Sequence, residues 1–222
     1  VIDVADRSVD GEIEVGGQLV DIAVLDESHL IVLDAQQHQL ALLRGAGTQW
    51  DVVSRLDVAP YPVRMHVDLD DGHCFVSSLW SQTVTKVDFS KPDGTTEYHM
   101  RAVGDATVGF EPRELCLTAD RKRLVVASAF GSAVSILDSS SLKLTARRSI
   151  PGHNIRGLAR SHDGQSLLIA HQNLNSRGHS SEDDVHWGNM LTNELTTSAV
   201  DEFCNPAIKT LKNRVVQYLG EP

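Results

Sequence analysis

Three runs of this chain, 64–71, 113–120 and 156–163, share one pattern: each opens on arginine (Arg64, Arg113, Arg156) and reaches aspartate seven residues later (Asp71, Asp120, Asp163). Two or three polar residues then lead into a second apolar run, 74–78, 124–128 or 167–171, which reads as strand, turn, strand. Asp71-Gly72 and Asp163-Gly164 are dipeptides that supply positive φ in two-residue hairpins, whereas Asp120-Arg121-Lys122 needs another turn type. A third strand follows at 84–88 and 134–138, and the stretch 19–33 repeats the theme with Leu19 in the place of arginine. Positions 19, 64, 113 and 156 are 45, 49 and 43 residues apart, the period of a four-stranded propeller blade. Valine, isoleucine, threonine and serine dominate the runs, and they lack the 3.6-residue periodicity a helical solenoid requires.

Pro62 and Pro112 just ahead of Arg64 and Arg113, the Asp-Gly turns, the apolar pairs and the Val84 to Asp88 ending together resemble the YVTN-type seven-bladed β-propeller repeat, a relative of the WD40 propellers. The resemblance covers roughly residues 1–171 and implies an all-β propeller of four-stranded blades. Its blades fall at about 19–58, 61–108, 110–150 and 152–195, the last carrying an insertion at 172–184. A partial blade occupies 1–18, with Glu12 to Val15 as its outer strand, and 196–222 is a helical or mixed extension. About four and a half blades do not close a seven-bladed ring, so the chain reads as a fragment of a longer propeller; a closed four- or five-bladed ring is the alternative.

The fourth blade departs from the others. After His171 a polar loop containing Asn173, Asn175, Arg177, His179 and the acidic run Glu182-Asp183-Asp184 intervenes before a strand-like stretch resumes at 185–193. Insertions in a regular array carry function more often than the scaffold does. The strings 171–175 and 184–189 resemble a bacterial subgroup of YVTN propellers, often periplasmic, that is joined to a c-type cytochrome domain. That resemblance implies haem c and electron transfer in an attached domain and a periplasmic or extracellular setting. No CxxCH occurs in these 222 residues, so no haem is expected within the chain itself. Further on, Asn205 and Pro206 fit an N-cap and first helical position, and Gly220 a C-terminal cap, which predicts a helix over 206–218. Its apolar stripe serves as core or as a partner-binding face, and 215–219 reads alternatively as a strand of the interrupted blade.

Hairpin geometry puts the start of a first strand and the end of the second at the same end of a blade. Arg64, Arg113, Arg156, His171 and Asn173 are therefore expected at one rim, near the channel where inner strands gather. Guanidiniums there either tie blades together through carboxylates such as Glu111, Glu114, Asp183 and Asp184, or grip an anion or an acidic partner. His179, Asp183, Asp184 and His186, close to His171, form a second constellation that reads as a solvated loop or as ligands of a divalent metal, without a standard ligand spacing.

Charge narrows the partners. Thirty Asp+Glu against twenty Lys+Arg give a net charge of −10, which repels phosphate backbones and anionic lipid, so nucleic acid is not an expected partner. The longest stretch without formal charge, Leu124 to Leu137, contains Gly131 and is too short to span a bilayer, so no membrane insertion is expected. Cys74, Cys116 and Cys204 are odd in number and widely spaced, with two inside apolar runs, as buried thiols would be. Asp68 to Gly72 lacks the glutamate of a calcium loop, Gly45-Ala-Gly47 lacks the third glycine of a dinucleotide fingerprint, and Ser140 to Lys143 lacks the helical context of an SxxK nucleophile. The expectation is a non-catalytic propeller that presents its rim to a protein partner or an attached redox domain. The rival is a lactonase-like or metal-dependent propeller hydrolase.

Overall fold

The computed structural model describes residues 2–92, 94–175, 181–186, 190–212 and 214–219. It divides into two units, Val1–Thr107 and Val108–Pro222.

In the first unit, β1 (Ile2–Asp3) and β2 (Ser8–Val9) form a short antiparallel ladder. Next come β3 (Leu19–Asp26), β4 (His29–Asp34), β5 (Gln39–Ala46) and β6 (Gln49–Asp57), then β7 (Pro62–Asp68), β8 (His73–Ser78), β9 (Thr83–Ser90) and β10 (His99–Thr107). Each set of four forms one antiparallel meander in chain order, which is a blade. The alternation of a strand sends one set of side chains to each face, and one set is apolar in both sheets. Leu25, Ile31, Leu33, Leu40 and Leu42 of the first blade thereby meet Met65, Cys74, Val76, Val87 and Phe89 of the second in one buried layer. Residues 10–16 contain no strand; Ile13 and Val15 instead lie over Val32, Ala41 and Leu43 on the other face of the first blade. The expected outer strand at 12–15 is thus absent, although its two apolar side chains still cover a sheet.

The second unit repeats the arrangement with β11 (Pro112–Leu117), β12 (Arg123–Ser128), β13 (Ala133–Asp138) and β14 (Leu144–Ser149), followed by β15 (His153–Arg160) and β16 (Ser166–Leu174). Then come α1 (Glu182–His186), β17 (Leu191–Ala199), α2 (Val200–Cys204) and β18 (Arg214–Tyr218), with β15 to β18 forming the fourth meander. Cys116, Val125, Ala127, Val134 and Ile136 pack on Ile155, Leu167 and Ile169, and Phe203 of α2 closes the layer.

The turns after the first strands explain the recurring aspartates. Asp120 Oδ1 accepts from the Thr118 hydroxyl and the Lys122 amide, and Asp163 Oδ1 accepts from the Ser161 hydroxyl and the Gln165 amide. These bonds hold both carboxyls below the usual carboxylate range. The loops run over 69–72 and 161–165, longer than two-residue hairpins, with Gly72 and Gly164 at φ +66 and +71. Arg121 takes a left-handed φ of +57 in the turn that lacks glycine.

Two expectations near the C-terminal end differ. Residues 185–186 end a helix rather than begin a strand: Ser181 Oγ accepts the Asp184 amide as an N-cap and donates to its carboxylate, with three acidic residues in the first turn. The described residues of 206–218 are not helical. Asn205 is extended (φ −81, ψ 112), its side chain accepts the Ala207 amide as in an Asx turn, and Arg214–Tyr218 pairs with β17 as the outer strand of the fourth blade. The gain from completing a four-stranded sheet, with β-branched Val215 and Val216 in it, outweighs the helical spacing of the apolar residues. Short helix α2 lies upstream, held by Arg148, whose guanidinium donates to the carbonyls of Phe203 and Asn205.

Candidate functional site

The strand ladders decide what the rim arginines are. Pro62 pairs with Ser78 and Arg64 with Ser77, while Pro112 pairs with Ser128 and Glu114 with Ala127. The matching position in the first blade is Asp21, which pairs with Leu33 beyond a similar irregularity. By register, then, Asp21, Arg64 and Glu114 are equivalent, and Arg113 sits one step earlier, at the bulge between Pro112 and Glu114. A one-residue slip sends a side chain to the other face, so Arg64 and Arg113 are not repeats of each other. The sequence alignment on arginine hid this because a bulge adds a residue without altering composition. In the first unit Asp21 reaches the second blade, its Oδ2 accepting the Met65 amide at 2.9 Å beside Arg64. Arg64 and Arg113 are half-buried; Arg156, in the irregular stretch between His153 and Gly157, is exposed.

His171 and Asn173 do come together, on a residue the sequence reading passed over. His171 is buried, with Nε2 2.9 Å from Thr196 Oγ1 and 3.9 Å from Glu194 Oε2. Glu194, its cross-strand partner and itself 4% exposed, accepts from Asn173 Nδ2 at 3.0 Å and Thr192 Oγ1 at 3.2 Å. Gln172 adds bonds to Asn154 and Asn193. Within 192–196 only Leu195 is apolar, so no polar–apolar alternation marks Thr192, Glu194 and Thr196 as one face.

This polar layer braces a long hairpin. β16 and β17 each run nine residues, against six for β8 and β12, and their ladder continues to Leu174–Leu191. The Asn175 amide donates to the Met190 carbonyl at the top. The hairpin thus extends as a two-stranded stem whose last pair, Leu174 and Leu191, is exposed. Glu182 and Asp183 of α1 are exposed and Asp184 half-buried. His179 and the side chain of His186, two members of the four-residue constellation, lie outside the described residues. Among the described residues, no three His, Cys, Asp or Glu side chains converge as metal ligands.

A second polar cluster, which no motif announced, joins the first two blades. Asp26 Oδ1 lies 2.9 Å from Nδ1 of buried His29, Lys91 Nζ lies 2.6 Å from Asp26 Oδ2 and 4.4 Å above the Tyr98 ring, and Arg44 pairs with Glu97. Burial pushes the Asp26 carboxyl up, but bonds from Lys91, the Ser28 amide and His29 outweigh it and hold the group below the usual range. Beside it, a cavity of about 300 Å³ is lined by Val53, Ser54, Arg55 and 97–100. No helix of the described residues is long and apolar enough to cross a membrane.

Four-stranded antiparallel meanders that stack face to face through their apolar layers define a β-propeller. Solved structures agree. A protein from Lactobacillus plantarum superposes with a TM-score of 0.64 at 12% identity, over 91% of this chain and 58% of that one. The β-propeller domain of Cps50 (Swd1) from Myceliophteria thermophila gives 0.59 at 7% identity, over 69% and 50%. Hydrazine synthase of Kuenenia stuttgartiensis gives 0.54 at 17% identity, over 96% and 69%. The chain therefore spans half to about two thirds of these neighbours, and at such identities the likeness is one of fold. No family model and no curated protein matches the sequence.

Proposed function

We propose that this chain is a YVTN-type propeller scaffold that presents the rim of its fourth blade to a protein partner, the partner being a c-type cytochrome, free or carried as an attached domain. The observation that carries the reading is the β16–β17 stem, a ladder that runs on to the Leu174–Leu191 pair and is braced by His171, Thr196, Glu194 and Asn173. A paired ladder that ends on an exposed Leu174–Leu191 pair suits docking. Its buried histidine, by contrast, has no solvent-exposed side-chain surface with which to meet a substrate. The reading carries with it a periplasmic or extracellular setting, with haem supplied by the partner.

Titration calorimetry of the purified chain with a reduced c-type cytochrome at low ionic strength tests this. Binding that weakens at least tenfold in Leu174→Ser/Leu191→Ser is expected. Absence of binding, together with hydrolysis of lactone or ester substrates by the same preparation, would replace the scaffold by the hydrolase.

A further inference from the structure

His29 opens β4 with its side chain 2% exposed, and the two carboxylates beside it compete for a single proton. Its Nδ1 lies 2.9 Å from Asp26 Oδ1, while its Nε2 is buried without a hydrogen-bond partner, 3.9 Å from Glu97 Oε2. A neutral imidazole carries one N–H. With the hydrogen on Nδ1, Asp26 is satisfied and the Nε2 lone pair faces the Glu97 carboxylate. With it on Nε2, Glu97 gains a donor and the lone pair faces Asp26 instead. Each neutral tautomer therefore leaves a buried nitrogen turned toward negative charge, and only the imidazolium, with an N–H on both nitrogens, serves both carboxylates.

The two carboxylates belong to different blades. Asp26 ends β3 of the first, and Glu97 lies in the connection 91–98 between β9 and β10 of the second. That connection is already fastened at other points. Lys91 Nζ lies 2.6 Å from Asp26 Oδ2, the Tyr98 ring meets the imidazole edge to face with centroids 5.0 Å apart, and Arg44, the cross-strand neighbour of His29, donates to Glu97 Oε1. Because Arg44 holds Oε1, Oε2 can accept from His29 without breaking an existing bond. The charged groups around the ring are thus Asp26 from its own turn, Arg44 from β5, and Lys91 and Glu97 from the second blade, two of each sign.

We propose that His29 is a proton-operated clasp between the first two blades. A proton taken up by the ring joins Asp26, His29 and Glu97 through charge-assisted bonds and holds 91–98 against the first blade, and its loss as pH rises releases Glu97 from the imidazole. Glu97 and Tyr98 also line the cavity beside Val53, Ser54 and Arg55, so the clasp sets how firmly that wall is held. The proposal does not depend on which partner the fourth-blade rim engages.

Imidazole nitrogen NMR of the 222-residue chain across about pH 5 to 8 is the test, with Glu97→Gln and His29→Gln as variants. Glu97 is half-buried and glutamine keeps its size, so that variant is expected to fold, which its thermal melt checks. In the wild type His29 should carry one proton at the alkaline end and two at the acid end. Glu97→Gln should move the His29 titration to lower pH by about half a unit, which by linkage means that the substitution lowers the folding equilibrium constant about threefold more at the acid end than at the alkaline end. In the His29→Gln background that extra acid-end effect of Glu97→Gln should vanish. A ring that stays singly protonated until the chain unfolds overturns the proposal. So does a His29 titration that ignores Glu97→Gln, or an effect of Glu97→Gln on stability that is the same at both ends of the range.

Discussion

A Cβ on Gly152 would fall 2.2 Å from Nδ1 of His171 and 2.8 Å from the Gln172 carbonyl. At the matching strand-end position the third blade has Ser128, whose compact hydroxyl accepts the Gly131 amide, so the fourth blade admits an imidazole there because residue 152 has no side chain. Gly152→Ala must move backbone or a fully buried ring, and we expect a loss of about 1–3 kcal/mol. His171→Ala leaves Glu194 and Thr196 short of a partner and opens a void, for a loss of about 3 kcal/mol. Urea unfolding of both variants checks the pair. Equal stability to the wild type would mean that the polar layer does not brace the stem.

Asp34 is fully buried and accepts four backbone amides, from Gly17, Gln18, Gln36 and Gln37. Burial pushes its pKa up, and the four bonds more than reverse that, so the folded value lies below the unfolded one. The sign follows: its contribution is complete above pH ~4 and fades as pH falls further. Asp34→Ala should cost about 3 kcal/mol at neutral pH and flatten the acid limb of the stability curve, because the variant has no carboxylate to protonate. Chemical denaturation at pH 3 and pH 7 measures both effects.

The blade repeat was legible because a two-residue alternation punctuated by Asp-containing turns survives in any one sequence. Its register was not. The bulges beside Pro62 and Pro112 shift pairing by one residue, and only the ladders reveal that Arg64 answers to Asp21 and Glu114 rather than to Arg113. The outer strand Arg214–Tyr218 was ambiguous for a related reason. An edge strand with exposed residues on both faces shows little alternation, so a helical spacing fitted it as well. His171 and Asn173 stand out in the sequence as a string, whereas Glu194 and Thr196, which give them a purpose, lie some twenty residues away across a pairing that no local pattern announces.

Lys91 and Asp26 offer a titratable reporter of the contact between the first two blades. With Lys91→Met the largest favourable partner of the carboxylate goes, so the Asp26 pKa should rise toward its ordinary value. Stability that the wild type keeps on mild acidification would then be lost at a higher pH, since protonation of Asp26 begins earlier on the way down. Side-chain carboxyl NMR follows the group directly. An unmoved Asp26 titration would show that Ser28 and His29 suffice to hold it.

Cys74, Cys116 and Cys204 are free and buried, one in the layer between the first two blades and two in the layer between the last two. Burial raises all three thiols, Cys204 to about 11. A thiol must ionise and reach solvent to react, and both conditions fail here. A disulfide reagent at pH 8 should therefore find almost no reactive thiol in the native protein and three after denaturation. Because Cys74 lies in a different layer from Cys116 and Cys204, labelling at intermediate urea, mapped by mass spectrometry, also reports which layer opens first. Labelling of all three at a single rate equal to global unfolding would show that the blades unfold together, whereas early labelling of Cys74 alone would mark the first unit as the weaker one.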